Sequence, residues 1–468
     1  MAIASQEVGM RGIKERRGTR RIIVPLSQID SIAHKIEPLI RTDGINASSA
    51  EGRFSRPFGR DFAETASQLH EAHRISKNGF MDRIVPATLN MITWIGKEDI
   101  PEAGIEKGKM FHEKGTIAQG YPKDWYVNEQ GIGENYDTAD ATDLAVISVY
   151  ELSLDYPYIV DYAMPYLKSM AEWIVRNTSE YGGAAYVGAK FDPRRRYKGL
   201  VNHNWKDNEF SYVNEKGEIP KHPIYPVREQ GFRYASLLML SEMLKDFDPK
   251  LSKTAESLAR HHKIWFNDKF PYQDNGGVFL ADALDGAMRP ITTTKSCDAI
   301  AVLSTRFCII DDFELRREII KRSYKDLYDE RIGLKTVSPD SLIHLRNIYH
   351  GPEAAWPHAQ GFAIQGILRE IERLGGKYLD LCEEYDEIAI QIAKASLRPT
   401  FYYKSPVEIV KLASDEPYER YIEYDMEGDI IGSGCDTQAW TGSENEYASN
   451  VLRSRGIKEI EVFAPRAA

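Results

Sequence analysis

Apolar residues recur at helical spacing through most of the chain, in runs at about 26–40, 61–76, 81–97, 140–153, 158–177, 228–245, 250–267, 296–307, 312–328, 354–373, 376–396 and 436–453. Several runs are apolar on more than one face, as expected of helices covered on both sides. Asp61 and Glu64 stand at capping-box spacing, so Asp61 is the expected N-cap of the second run. Long polar segments separate the runs at about 101–137, 181–227, 268–295, 329–353 and 398–435. Loops of that length in a compact domain carry function or small sheets. Tyr272 to Ile291 reads as strands joined by turns, and Tyr402 to Tyr424 as a further hairpin. The pattern predicts an all-α fold, with paired helices forming a double-ring α/α barrel and small β-hairpins in the loops at the pocket end. No linker-like stretch divides the chain, so one domain is expected over 22–468, behind a mobile basic tail at 1–21.

Composition narrows the function. Hydrophobic residues at 42% and aromatics at 11% of 468 residues supply a large core. A formal charge of −10 disfavours nucleic-acid binding, which needs a basic surface. No run of about 18 uncharged apolar residues is present to span a membrane. Arg11, Lys14, Arg16, Arg17, Arg20 and Arg21 are followed by no apolar stretch, so the start does not read as a secretory leader and a cytoplasmic protein is expected. Cys297, Cys308, Cys382 and Cys435 form no C-x-x-C pair and are expected as free thiols. His261-His262 reads as a solvated helix face, and His112-Glu113 lacks the second histidine of a zinc-protease motif. No metal is therefore expected. No Walker loop, dinucleotide fingerprint or nucleophile elbow points to a nucleotide cofactor or to serine hydrolysis.

The candidate chemistry is carboxylate and aromatic. The polar loop Asn202 to Glu209 contains an exposed-looking Trp205-Lys206-Asp207. A carboxyl beside an apolar ring can keep its proton near neutral pH and act as a general acid. Asp207 is the candidate for that role, and a simple loop turn is the competing reading. A second acidic, aromatic segment runs from Tyr421 to Asp425, ahead of Gln438-Ala439-Trp440. Glu423 is its candidate base, with Asp425 and Glu427 as rivals and a solvated acidic hairpin as the alternative. Arg60, Asp61, Trp356, Gln438 and Trp440 are candidate contacts for a small saccharide, with a helix cap at Asp61 and ordinary packing at Trp356 as the other readings; Trp205 could stack on the sugar, and Gln230 joins these contacts through the resemblance that follows.

In order, these segments resemble the amylo-α-1,6-glucosidase domain of glycogen debranching enzymes and related α-glycosidases, which include processing α-glucosidase I and mannosylglycerate and glucosylglycerate hydrolases. The resemblance runs from Gly59-Arg60-Asp61 through Asp140-Ala141-Thr142, Asn202-x-x-Trp205-Lys206-Asp207 and Gln230-Gly231-Phe232. It continues through Leu284-Asp285-Gly286, Gly351 with Trp356-Pro357, and Glu423 before Gln438-Ala439-Trp440. It implies an (α/α)6 barrel and an inverting mechanism, with Asp207 as acid, Glu423 as base and carboxyls roughly 6.5–9.5 Å apart. Debranching-type sequences carry Glu where this chain has Arg228. An arginine there suits an anionic aglycone such as glycerate, or else an ion pair with Glu229 or another acid. The expected function is hydrolysis of an α-linked glucoside or mannoside, with debranching of an α-glucan as a neighbouring possibility. Phosphorolysis on the same barrel and sugar binding without catalysis are the other readings.

Overall fold

The computed structural model describes residues 19–49, 54–116, 122–341, 349–413, 417–420, 422–424 and 430–465, of which 19, 116, 420, 422–424, 430–433 and 465 are described by backbone alone. Twelve α-helices are found among them. In chain order α1 is Leu26–Ala33, α2 Gly59–Ile75, α3 Met81–Met91, α4 Ala141–Ser153, α5 Tyr158–Tyr181 and α6 Val227–Leu244. They are followed by α7 Pro249–Lys269, α8 Asp298–Ala301, α9 Phe313–Leu327, α10 Pro357–Leu374, α11 Leu379–Tyr403 and α12 Ala439–Ser454.

Packing partners among the even-numbered helices run in a cycle: α2 on α4, α4 on α6, α6 on α8, α8 on α10, α10 on α12, and α12 back on α2. Each of these six also packs against a helix outside the cycle, namely α3, α5, α7, α9, α11 and α1 in turn. The sequence explains the two kinds of position. In α4 every residue from Ala141 to Leu152 is buried, and in α12 every residue from Ala439 to Leu452. Helix α4, apolar or small over most of its surface, must be covered nearly all round, whereas α12 is covered although it carries Glu444, Asn445, Glu446 and Asn450. By contrast α7 buries only Ser252, Ala255, Ala259, His262 and Phe266, a single stripe at steps of three and four. His262, read from sequence as solvated, lies on that stripe and is buried, with Nε2 3.1 Å from the Gln230 carbonyl oxygen.

The connections are unequal. Short links lead from α2 to α3, α4 to α5, α6 to α7 and α10 to α11, whereas every return from an outer helix to the next cycle helix is long and carries short strands. Residues 113–116 pair with 132–135, 283–284 lie between 225–226 and 290–291, and 410–411 lie between 354–355 and 419–420. These elaborated loops therefore gather at the N-terminal ends of the cycle helices. Near the two ends of the chain, Thr19–Pro25 pairs antiparallel with Glu459–Pro465. Arg20 and Arg21, assigned from sequence to a mobile tail, thus belong to a strand.

Among the boundaries that differ from the sequence reading, two bear on the site. α2 begins at Gly59 with Phe58 as N-cap, so Asp61 is a first-turn residue and not the cap. Gly59 N donates to the His112 carbonyl, and a Cβ at Gly59 would overlap the Phe111 carbonyl oxygen, which fixes glycine there. The apolar run at 296–307 contributes only a four-residue α-helix. Beyond it the chain tightens, with Leu303 N bonding to Ile300 O and Ser304 N to Ala301 O.

One consequence of total burial in α12 is measurable. Burial pushes the Glu444 carboxyl from 4.5 up to about 8, although Ser396 and Asn445 donate to it. Between those values the folded chain holds a proton that the unfolded chain has released, so this group makes stability fall as pH rises through the window. Glu444→Gln should flatten the decline, read as melting temperatures of both proteins at about pH 5 and about pH 9. An unchanged difference between the two pH values would contradict the assignment.

Candidate active site

The first turns of the six cycle helices meet. Arg60 in α2 pairs through Nε with Asp140 Oδ2 at 3.1 Å, just ahead of α4. Arg228 in α6 pairs with the same oxygen at 3.2 Å and with Glu64 at 3.5 Å, Glu229 at 3.4 Å and, more loosely, Asp298 of α8 at 4.0 Å. His358 of α10 lies 2.7 Å from Glu64, and Gln438 at the start of α12 donates to Asp61 at 2.9 Å. Converging helix N-termini favour negative charge, which accounts for the excess of acids over cations here. Burial pushes Asp140 up, but Arg60 and Arg228 outweigh it and leave it below the usual carboxylate range. Burial, with Glu64 and Glu408 as nearby negative groups, holds Asp61 well above that range despite Arg60.

Asp207 is half-buried on the loop ahead of α6, and its charge acts on Arg60, Tyr349 and Glu408. The loop is anchored from beneath. Trp205 and Lys206, exposed-looking in sequence, are 1% and 0% exposed. Lys206 Nζ bridges Asp282 at 2.8 Å and Asp298 at 3.0 Å, and Trp205 Nε1 donates to Asp298 at 2.7 Å. Trp205 meets Trp356, His350 and His358 in T-shaped pairs, and His358 stacks on Trp440 at 4.1 Å. Burial lowers the pKa of His350 and His358, so this aromatic group is uncharged near neutral pH. Among the described residues, Trp440 Nε1 and Gln438 Oε1 are buried polar atoms with no protein partner, one a donor and the other an acceptor on the amide that bonds Asp61. Such pairs suit sugar hydroxyls, which both give and accept.

The structure thus brings together Arg60, Asp61, Trp205, Asp207, Trp356, Gln438 and Trp440. Gln230 is placed differently, with its amide occupied by Ala184 N and by the Ala184 and Pro226 carbonyls, fastening a loop to α6. Of the two readings offered for Arg228, the geometry displays the ion pair: the side chain is 1% exposed and matched by four acids. Glu423 is in a short strand, Ile422–Tyr424, paired with Ile430–Ser433, and its side chain lies outside the described residues, as do Asp425 and Glu427 entirely.

One carboxyl was missed by sequence reasoning. Glu408 is buried in the loop after α11, where Tyr349 Oη donates to Oε1 at 2.9 Å and Cys435 N to Oε2 at 2.8 Å. The sequence did hold a signal, a lone acid inside the apolar Pro406-Val407-Glu408-Ile409-Val410. Among the described residues no group of three or more His, Cys, Asp or Glu is arranged to hold a metal ion, and no helix is long and apolar enough to cross a membrane.

No family model and no curated protein matches this chain. Solved structures do. The GH63 mannosylglycerate hydrolase from Thermus thermophilus, in complex with Tris and D-glycerate, aligns with a TM-score of 0.54 at 12% identity, covering 90% of this chain and 99% of that one. A wild-type glycosidase aligns at 0.55 with 8% identity, covering 92% and 98%. A sugar epimerase from a ruminal bacterium aligns at 0.53 with 12% identity, covering 92% and 99%. The likeness spans nearly the whole of each partner, and the fold of this chain is the one shared by these glycosidases and the epimerase.

Proposed function

We propose that the protein is an inverting glycoside hydrolase built on an (α/α)6 barrel, which cleaves an α-linked glucoside or mannoside with Asp207 as the proton donor. The observation that carries this reading is the gathering of Asp61, Gln438 and two buried polar atoms without a protein partner beside a tryptophan cluster at the N-terminal ends of the cycle helices, with Asp207 two residues beyond the cluster's Trp205. In inversion the acid protonates the leaving oxygen while a base on the opposite ring face takes a proton from the attacking water. The base would come from the stretch between α11 and α12, which carries Glu423 and Glu408. Arg60, Asp61, Gln438 and Trp440 would hold the sugar ring, with Trp205 and Trp356 as the apolar wall behind them. The cycle of packed helices and the hydrolases among the structural neighbours support the barrel and the class of reaction. The mannosylglycerate hydrolase among them favours a small acidic glycoside over a polysaccharide branch. Because Arg228 is already paired, recognition of an acidic aglycone would fall to another group. Incubation with α-glucosides and α-mannosides, neutral and glycerate-linked, should release free sugar from at least one. Saturable binding without release from any of them would favour a sugar-binding protein instead.

A further inference from the structure

We propose that the chain carries a second ligand site, outside the pocket described above, which takes a small hydroxylated compound bearing one oxyanion, a sugar acid or a polyol phosphate. The site is a cavity of about 270 Å³ between the loop 99–109, the start of α4, the last turns of α5 and the loop 185–203. Neither Asp61, Asp207 nor any tryptophan of the aromatic group lines it. The volume falls just under the range of about 300–1,000 Å³ usual for small-molecule sites, which admits a compound of a few carbons and excludes a polysaccharide.

The buried end of the cavity carries unused donors. Arg195, with a side chain 6% exposed, gives two hydrogen bonds to Asp137 at 2.6 and 3.1 Å. A Cβ at Gly104 or Gly199 would overlap the guanidinium, so both positions are cut back to seat it. Its Nε is nevertheless a buried donor with no protein partner among the described residues. Lys109, with a side chain 7% exposed, has three N–H donors and one acceptor, Glu106 Oε1 at 3.5 Å. Glu106 is itself shared, taking a hydrogen bond from Trp173 Nε1 at 3.0 Å and lying 3.9 Å from Arg176. Lys109 and Arg195 both act on His203, which lines the same cavity 3.6 Å from Asp137. Burial, helped by those two cations, lowers His203 to about 4, so the ring adds no charge near neutral pH. Asp137 is already engaged by Arg195 and by Leu200 N at 2.9 Å. The buried end therefore holds two cations against one matched acid. An unmatched buried charge is unfavourable, and an oxyanion between Lys109 Nζ and Arg195 Nε would match it. Toward the rim the balance reverses, because Asp99 and Glu180 are exposed acceptors that suit hydroxyl groups on the rest of the ligand.

The wall of this cavity leads directly into the loop that bears Asp207. His203 O accepts from Ala139 N at 2.5 Å, and Leu200 N is tied to the Asp137 that Arg195 grips. A bound anion should therefore steady residues 195–207.

Calorimetric titration with D-gluconate and with glycerol phosphate, beside uncharged sorbitol and glycerol, tests the site. At least one anion should bind saturably, one per chain, and its uncharged counterpart at least about tenfold more weakly, the scale of a charge-assisted hydrogen bond. Binding of gluconate alone identifies a sugar acid, and of glycerol phosphate alone a phosphate ester. Lys109→Met keeps the stem against Trp173 and should weaken binding at least about tenfold, whereas Lys109→Arg should retain most of it. Hydrogen exchange at the Leu200 amide should slow when the anion is added to the parent and not when it is added to Lys109→Met. Absence of saturable binding by either anion, equal binding of the uncharged polyol, or binding unchanged in Lys109→Met overturns the proposal. So does binding that is lost in Trp440→Phe and kept in Lys109→Met, which would place the anion in the pocket around Asp61. The hydrolase reading stands under any of these results.

Discussion

Asp207→Asn is expected to lower hydrolysis of an alkyl α-glycoside by about 10²–10⁴-fold, the usual contribution of a positioned general acid. Asp207 is half-buried at the lip of the loop, and the anchoring contacts are made by its neighbours, Trp205 to Asp298 and Lys206 to Asp282 and Asp298. The amide is nearly isosteric with the acid, so activity lost at an unchanged melting temperature is assigned to chemistry. Steady-state kinetics with a calorimetric scan on the same preparation make the check. A drop in activity that merely tracks a drop in melting temperature would mean that Asp207 holds the loop and does not donate a proton.

The second large effect is on stability. Arg228→Met should cost about 3–5 kcal/mol, the scale for breaking a buried ion pair by removing one partner. The guanidinium neutralises Glu64, Asp140 and Glu229 at 3.2–3.5 Å and packs over the rings of Trp205, Phe232 and Phe362. Methionine keeps part of the packing and none of the charge, leaving those acids to Arg60 and the helix dipoles. Chemical denaturation should show the midpoint moving sharply to lower denaturant, with Arg228→Lys in between. An unchanged midpoint together with a selective loss of activity on glycerate-linked substrates would return Arg228 to the role of anion contact.

How far the sequence reached follows from which signals are local. Helix positions were legible because burial on all faces of α4 and on one stripe of α7 is written in residue order. The α2 boundary was not, because a backbone hydrogen bond from Gly59 to His112 and a close approach to Phe111 set it, and neither neighbour is near in sequence. Trp205 and Lys206 looked exposed because their neighbours along the chain are polar. Their burial is imposed by Asp282 and Asp298, more than 70 residues away. Asp207 stood out through its aromatic and polar setting. Glu408 did not, since its own neighbours are apolar and its partners Tyr349 and Cys435 are brought in by other loops.

The central claim is that two carboxyls at the N-terminal ends of the helix cycle act on opposite faces of one sugar ring. Proton NMR during the first turnovers of an α-glycoside, before mutarotation, addresses it most directly. The account predicts that the β-anomer of the released sugar appears first. First-formed α-anomer would mean retention, and with it a covalent intermediate that contradicts the acid-and-base pairing of these two groups.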